Sequence, residues 1–132
     1  MLIPNFEGVS AFLLGVSQFS RNQWIGLGVG EVYLRDTFRL HPVSGQRVRS
    51  VEIGNITVRA DCRGQGTFWG LCAHIRRRAP GAILIVENVV NDRLARSLRL
   101  PQNGFLRLAT HGGENPAPPS FWCECPSKSN VG

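Results

Sequence analysis

A chain of 132 residues, 42% of them hydrophobic, has the material for one core and leaves little room for two domains. Fifteen Lys and Arg against nine Asp and Glu give a formal net charge of +6, which favours anionic partners: a nucleotide cofactor, nucleic acid or an acidic protein surface. No apolar run approaches the roughly 20 residues of a bilayer span. Four cysteines with no export signal ahead of them point to reduced thiols and a cytoplasmic location.

In chain order, Val9, Phe12, Leu13 and Val16 recur at helical spacing and predict a helix over 6–19. Gly26, Gly28 and Gly30 then alternate with Ile25, Leu27 and Val29 ahead of Val32, Tyr33 and Leu34, which predicts strands around a tight bend. Residues 41–46 are turn chemistry. Val48, Val51, Ile53, Ile56 and Val58 describe one long strand, or two halves broken near Gly54, where a bulge is expected. Leu71, Cys72, Ile75 and Ala79 predict a helix with Arg76, Arg77 and Arg78 in its last turn, closed by Pro80 and Gly81. The run Ile83, Leu84, Ile85, Val86 predicts a strand buried on both faces, parallel to the preceding one through a right-handed crossover. Asn91 or Asp92 caps a short helix through Leu94, Ala95 and Leu98, stopped by Pro101. Two final strands are expected over 105–108 and 120–125, joined by the loop 112–119.

The chemistry gathers between the long strand and the second helix. A turn reading Arg63, Gly64, Gln65, Gly66, Thr67 points backbone N–H groups and a helix dipole at one phosphate-sized space. Cys123 and Cys125, with Cys62, Cys72, His41, His74 and His111, do not form the paired spacing of a structural zinc site, so no metal is expected. Arg93, Arg96 and Arg99 form a basic stripe. Trp24, Trp69 and Trp122 are scattered and expected to be packed, which argues against a single-stranded nucleic-acid groove.

Glu52, followed by Ile56, Thr57 and Val58, then Arg63, Gly64, Gln65, Gly66, Thr67 and Phe68, resembles the signature of the GNAT superfamily of acyl-CoA-dependent N-acetyltransferases. The strand at 82–87, the segment 91–98 with Asn91 and Ala95, and Gly104 with Phe105 are similar to the later parts of that pattern, so the resemblance covers about 50–108. It implies a single GNAT-like α/β domain over 1–132, with a mixed central sheet, helices on both faces, a C-terminal hairpin at 105–125 and a tail at 126–132. It implies transfer of acetyl from acetyl-CoA to an unidentified small-molecule or protein amine. Glu52 is then the candidate general base, and Ile56 and Val58 pair with the pantetheine arm. Arg63 and the amides of Gly64, Gln65, Gly66, Thr67 and Phe68 meet the pyrophosphate, with Asn91 at the same cofactor. Two positions depart from the family pattern. Phe68 stands where the family has Gly or Ala, and the tyrosine that protonates the departing thiolate aligns near Arg99, Tyr33 being the sole tyrosine. The same resemblance admits a non-catalytic relative serving as a structural or interaction module, for example in a bacteriophage particle, with the virion as its location.

Overall fold

The computed structural model describes residues 2–15, 20–109 and 118–127. The elements are α1 (Glu7–Leu14), β1 (Arg21–Gly26), β2 (Gly30–Leu40), β3 (Arg47–Val58), α2 (Thr67–Arg78), β4 (Ile83–Val86), α3 (Asp92–Arg99), β5 (Leu106–Arg107) and β6 (Phe121–Glu124). They build one six-stranded sheet in the order β1-β2-β3-β4-β6-β5. The β3–β4 pair is parallel and the other pairs are antiparallel. A mixed α/β sheet of this kind is what the family resemblance implied. Helix α1 stops at Leu14, short of the expected end; Val16 to Phe19 lie outside the described residues. The expected loop 112–119 lies largely outside them too.

The break expected near Gly54 is a bulge inside one continuous strand. Leu34 faces Ile53 and Tyr33 faces Asn55, so Gly54 is the unpaired extra residue. A Cβ there would sit 3.0 Å from Cδ1 of Tyr33, so any larger residue would crowd that ring.

Alternation along the strands divides the buried side chains. Val51, Ile53, Leu84, Val86, Phe121 and Cys123 turn to one face and join Val9 and Leu13 of α1, Leu71 and Ile75 of α2, and Ala95 and Leu98 of α3 in the larger apolar cluster. Ile83, Ile85 and Trp122 form a smaller cluster on the other face. That second face also carries Arg35, Arg39 and Glu52.

One buried carboxylate ties α1 to the sheet. Asp36 of β2 accepts from Arg21 at 2.9 Å and from two nitrogens of Arg49 at 3.0 and 2.8 Å. The same guanidinium groups donate to the carbonyls of Phe12 and Leu13, each at 2.8 Å, so they satisfy the C-terminal acceptors that α1 leaves open. A second tie joins Ser10 Oγ to His74 Nε2 at 2.7 Å between α1 and α2. Burial first, then Arg78 and Arg77, push the His74 imidazole below its usual value.

Two outcomes are expected. Asp36→Asn removes the anion between two guanidinium groups and lowers the unfolding free energy by on the order of 3 kcal/mol in chemical denaturation. His74 has a depressed folded-state value, so the unfolded chain takes up a proton first as pH falls; its contribution is full above about pH 6.5 and is lost below. Thermal melts of the wild type should therefore fall more steeply below about pH 6.5 than those of His74→Gln.

Candidate functional site

The parallel strands pair from Ser50 and Ile83 to Ile53 and Val86. One further rung follows, in which the Glu87 N–H donates to Ile53 O at 3.0 Å. After it the chain from β4 swings toward β6: the Asn88 N–H donates to Ser120 Oγ at 3.0 Å and the Val89 N–H to Pro119 O at 2.8 Å. Asn88 takes a left-handed φ of 47° to make that departure. Strand β3 meanwhile runs on to Val58, so the two strands splay. Between them lies a cleft of about 140 Å³, lined by Ile53 to Ile56, Phe68, Val86 to Asn91 and Leu94.

The β3 edge of this cleft has free backbone groups. The Arg59 N–H donates to Val29 O at 2.8 Å, across the β2–β3 ladder. In an antiparallel pair the bonding direction alternates residue by residue, so Val58 and Ile56 turn their N–H and C=O away from β2 and toward the side that β4 has vacated. The Val58 carbonyl is met there by Arg63, whose Nε donates to it at 3.1 Å.

The glycine turn opens beside this edge. Gly64 (φ 78°) and Gly66 (φ 77°) are left-handed, and a Cβ built on either meets nothing within 4 Å, so the space above the turn is open. Helix α2 begins at Thr67, with Gly66 as its N-cap and no side chain capping its first amides. Arg63, Gln65 and Gly66 are exposed, whereas Thr67 is buried. The Phe68 ring lines the cleft and packs edge-on against Trp69, with centroids 5.1 Å apart. It therefore sits beside the turn and leaves it unfilled. Asn91 also lines the cleft, but its side-chain oxygen accepts from the Leu94 N–H at 3.0 Å and so caps α3.

Glu52 is fully buried, outside the cleft lining, in an ion network on the second face of the sheet. It accepts from Arg35 Nη1 at 2.9 Å, from Ser50 Oγ at 2.8 Å, and from Arg39 through Nε and, at 3.3 Å, Nη2. Burial would raise its carboxyl, but Arg39 first, then the neighbouring Glu87 and Ser50, outweigh that and hold it at about 2. A carboxylate so held is a fixed anion and a poor proton acceptor. Glu87 stands beside it, accepting from the same Arg35 Nη1 at 2.7 Å. Its carboxyl is pushed the other way, up, by burial and then by Glu52, against the pull of Arg35 and Arg39.

The partners of Glu52 are Arg35 and Arg39, while Arg49 serves Asp36 and Arg47 stacks on Phe38. Tyr33, distant in sequence, pairs across from Asn55 with its ring against Gly54, next to the cleft. Arg99 is exposed in the last turn of α3 and borders a separate recess with Arg96 and Asp92. Trp24 and Trp69 are exposed, with ring contacts to Tyr33 and to Phe68 and Phe105 respectively, and of the three tryptophans Trp122 alone is buried. All four cysteines are free and buried, and among the described residues no group of His, Cys, Asp and Glu is placed to hold a metal. Among them, too, no helix is long and apolar enough to cross a membrane.

No family model matches the chain, and no curated protein does. Among solved structures, a putative acetyltransferase from Agrobacterium tumefaciens is similar at 18% identity and a TM-score of 0.47, over 88% of this chain and 83% of that one. The KacTA–DNA complex is similar at 24% identity and a TM-score of 0.49, over 87% of this chain and 78% of that one. At these identities and TM-scores the likenesses carry no argument about this chain.

The buried network yields a prediction. Glu52→Gln leaves Arg35 and Arg39 without their central anion and should lower the unfolding free energy at neutral pH by on the order of 3 kcal/mol. The folded value lies below the ordinary 4.5, so in the wild type this contribution is present above that pH and is lost as pH falls toward about 2. Denaturation curves collected across that window should lose the corresponding slope in the variant.

Proposed function

We propose that the chain is a GNAT-like N-acetyltransferase that moves the acetyl group of acetyl-CoA to an amine. The observation that carries this reading is the splay of β3 and β4 next to the open Gly64–Gly66 turn. An extended pantetheine arm can add to β3 as a strand would, bonding to the outward groups of Ile56, and to Val58 once the Arg63 side chain swings away from its carbonyl. The diphosphate then falls over the amides of Gly64, Gln65, Gly66, Thr67 and Phe68, where the helix dipole and Arg63 favour negative charge. Phe68 is compatible with this because its ring stands at the cleft wall. Asn91 contributes by fixing the start of α3 at the opposite wall.

In this reading Glu52 acts as a counter-ion that holds Arg35 and Arg39, and outward backbone donors of β3 polarise the thioester carbonyl. The acceptor enters where the cleft opens toward Glu87 and Asn88. The protein that would result if the cleft took no cofactor is the non-catalytic interaction module, including the phage-particle case.

Calorimetry separates the two. The wild type should bind acetyl-CoA, and release of CoA thiol over a panel of primary amines should follow. Gln65→Glu sets a carboxylate in the open turn at an exposed position, so it should weaken acetyl-CoA binding about tenfold, equivalent to ~1.4 kcal/mol, with an unchanged melting temperature. Undetectable heat with wild-type protein at millimolar acetyl-CoA would discard acetyl transfer in favour of the interaction module.

A further inference from the structure

Glu87 occupies the rung at which the parallel strands part, and among the described residues that line the cleft it is the one titratable group. Its side chain keeps 17% exposure where that of Glu52 keeps none. The donors are divided as unevenly as the water. Glu52 takes Arg35 Nη1, two nitrogens of Arg39 and Ser50 Oγ, whereas Glu87 takes Arg35 Nη1 at 2.7 Å and has Arg39 Nη2 only at 3.8 Å. Two carboxylates that share one guanidinium nitrogen cannot both be equally good anions. The better-solvated member with fewer donors is the one that takes up and gives back a proton. The charged groups that face it are Arg35 and Arg39 from β2 and Glu52 from β3; the cleft residues from α2 and α3, with the cap Asn91, are Phe68, Asn91 and Leu94, none of them ionisable. The left-handed Asn88 and its N–H bond to Ser120 fix the backbone directly after Glu87, a strained turn of the sort that holds a functional group in one place.

We propose that Glu87 is the proton-accepting carboxylate of this cleft, with Arg35, Arg39 and Glu52 as its positioning network, and that the acceptor arrives as a protonated primary amine. The inference rests on the acetyl-transfer reading above. The ammonium gives one proton to the Glu87 carboxylate, and the freed nitrogen attacks the thioester carbonyl carbon. The N–C bond forms and the C–S bond breaks, and the surplus N–H proton passes through water to the leaving CoA thiolate. Glu87 then returns its proton to solvent. Burial and the Glu52 charge move Glu87 toward the pH at which a general base is effective.

The first test needs no ligand. Carbon-13 NMR titration of the side-chain carboxyls in the wild type should show Glu87 titrating above ordinary glutamates and Glu52 below them. Glu87 titrating in the ordinary range would overturn the proposal. The second test uses acetyl-CoA and the amine panel. Glu87→Gln should bind acetyl-CoA within about twofold of wild type, lose on the order of 100-fold in kcat, and lose the acidic limb of the kcat/KM profile, with partial recovery in Glu87→Asp. Wild-type turnover and an intact acidic limb in Glu87→Gln would sink the role of Glu87 and leave acetyl transfer standing. Failure of the wild type to bind acetyl-CoA would sink the acetyl-transfer reading, and this role with it.

Discussion

The hydrogen bond from the Glu87 N–H to Ile53 O is the last link between the two parallel strands, and the rest of the site follows from where it falls. Strand β4 has four residues and β3 has twelve, so one must continue alone. Beyond the link, β3 presents outward backbone groups with no strand among the described residues to receive them. The chain from β4 is claimed by β6 through Ser120 and Pro119. Backbone groups left open in this way are satisfied by water or by an added extended ligand, and the glycine turn lies where the same β3 edge ends. A shift of that last link by one residue would turn Glu87 to the opposite face and separate it from Glu52.

The charge of the chain is organised around two buried acids on opposite faces of the same sheet. Asp36 gathers Arg21 and Arg49 on the helix-covered face, and Glu52 gathers Arg35 and Arg39 on the other. Arginine suits both places because its planar fork meets a carboxylate and a carbonyl at once, as Arg21 and Arg49 do with α1. The positive surplus is thereby moved outward, to Arg76, Arg77 and Arg78 at the end of α2 and to Arg93, Arg96 and Arg99 along α3.

The order of strand, glycine turn, helix and strand was legible because each piece carries a local signal: alternation in β3, left-handed glycines at 64 and 66, 3.6-residue spacing in α2, and an unbroken apolar run in β4. The α3 cap was legible to within one position, Asn91 or Asp92, for the same reason. What the residue string could not convey is register. Glu52 meets Arg35 and Arg39 because Gly54 inserts one residue opposite the Tyr33–Leu34 step, and no local pattern specifies which β2 residue a β3 glutamate will oppose. Glu87 looked equivalent to other strand carboxylates, and its distinction is its place at the parting of two strands. Tyr33 is far from the glycine turn in sequence, and antiparallel pairing cancels that distance. Trp24 lies on a sheet edge and Trp69 on the outer side of α2, and tryptophan in a small domain is readily left partly wet.

The buried cysteines have a practical consequence. Burial raises Cys123 to about 11 and Cys125 to about 12, lifts Cys72 further still, and raises Cys62, whose neighbour Asp61 adds to the effect. At neutral pH these sulfurs are thiols with almost no reactive thiolate, enclosed by side chains. Maleimide dyes will therefore pass over the native chain, and a single cysteine installed at an exposed cleft-rim position such as Asn55 becomes a selective attachment point for a fluorophore, with no need to strip the natural sulfurs from the interior.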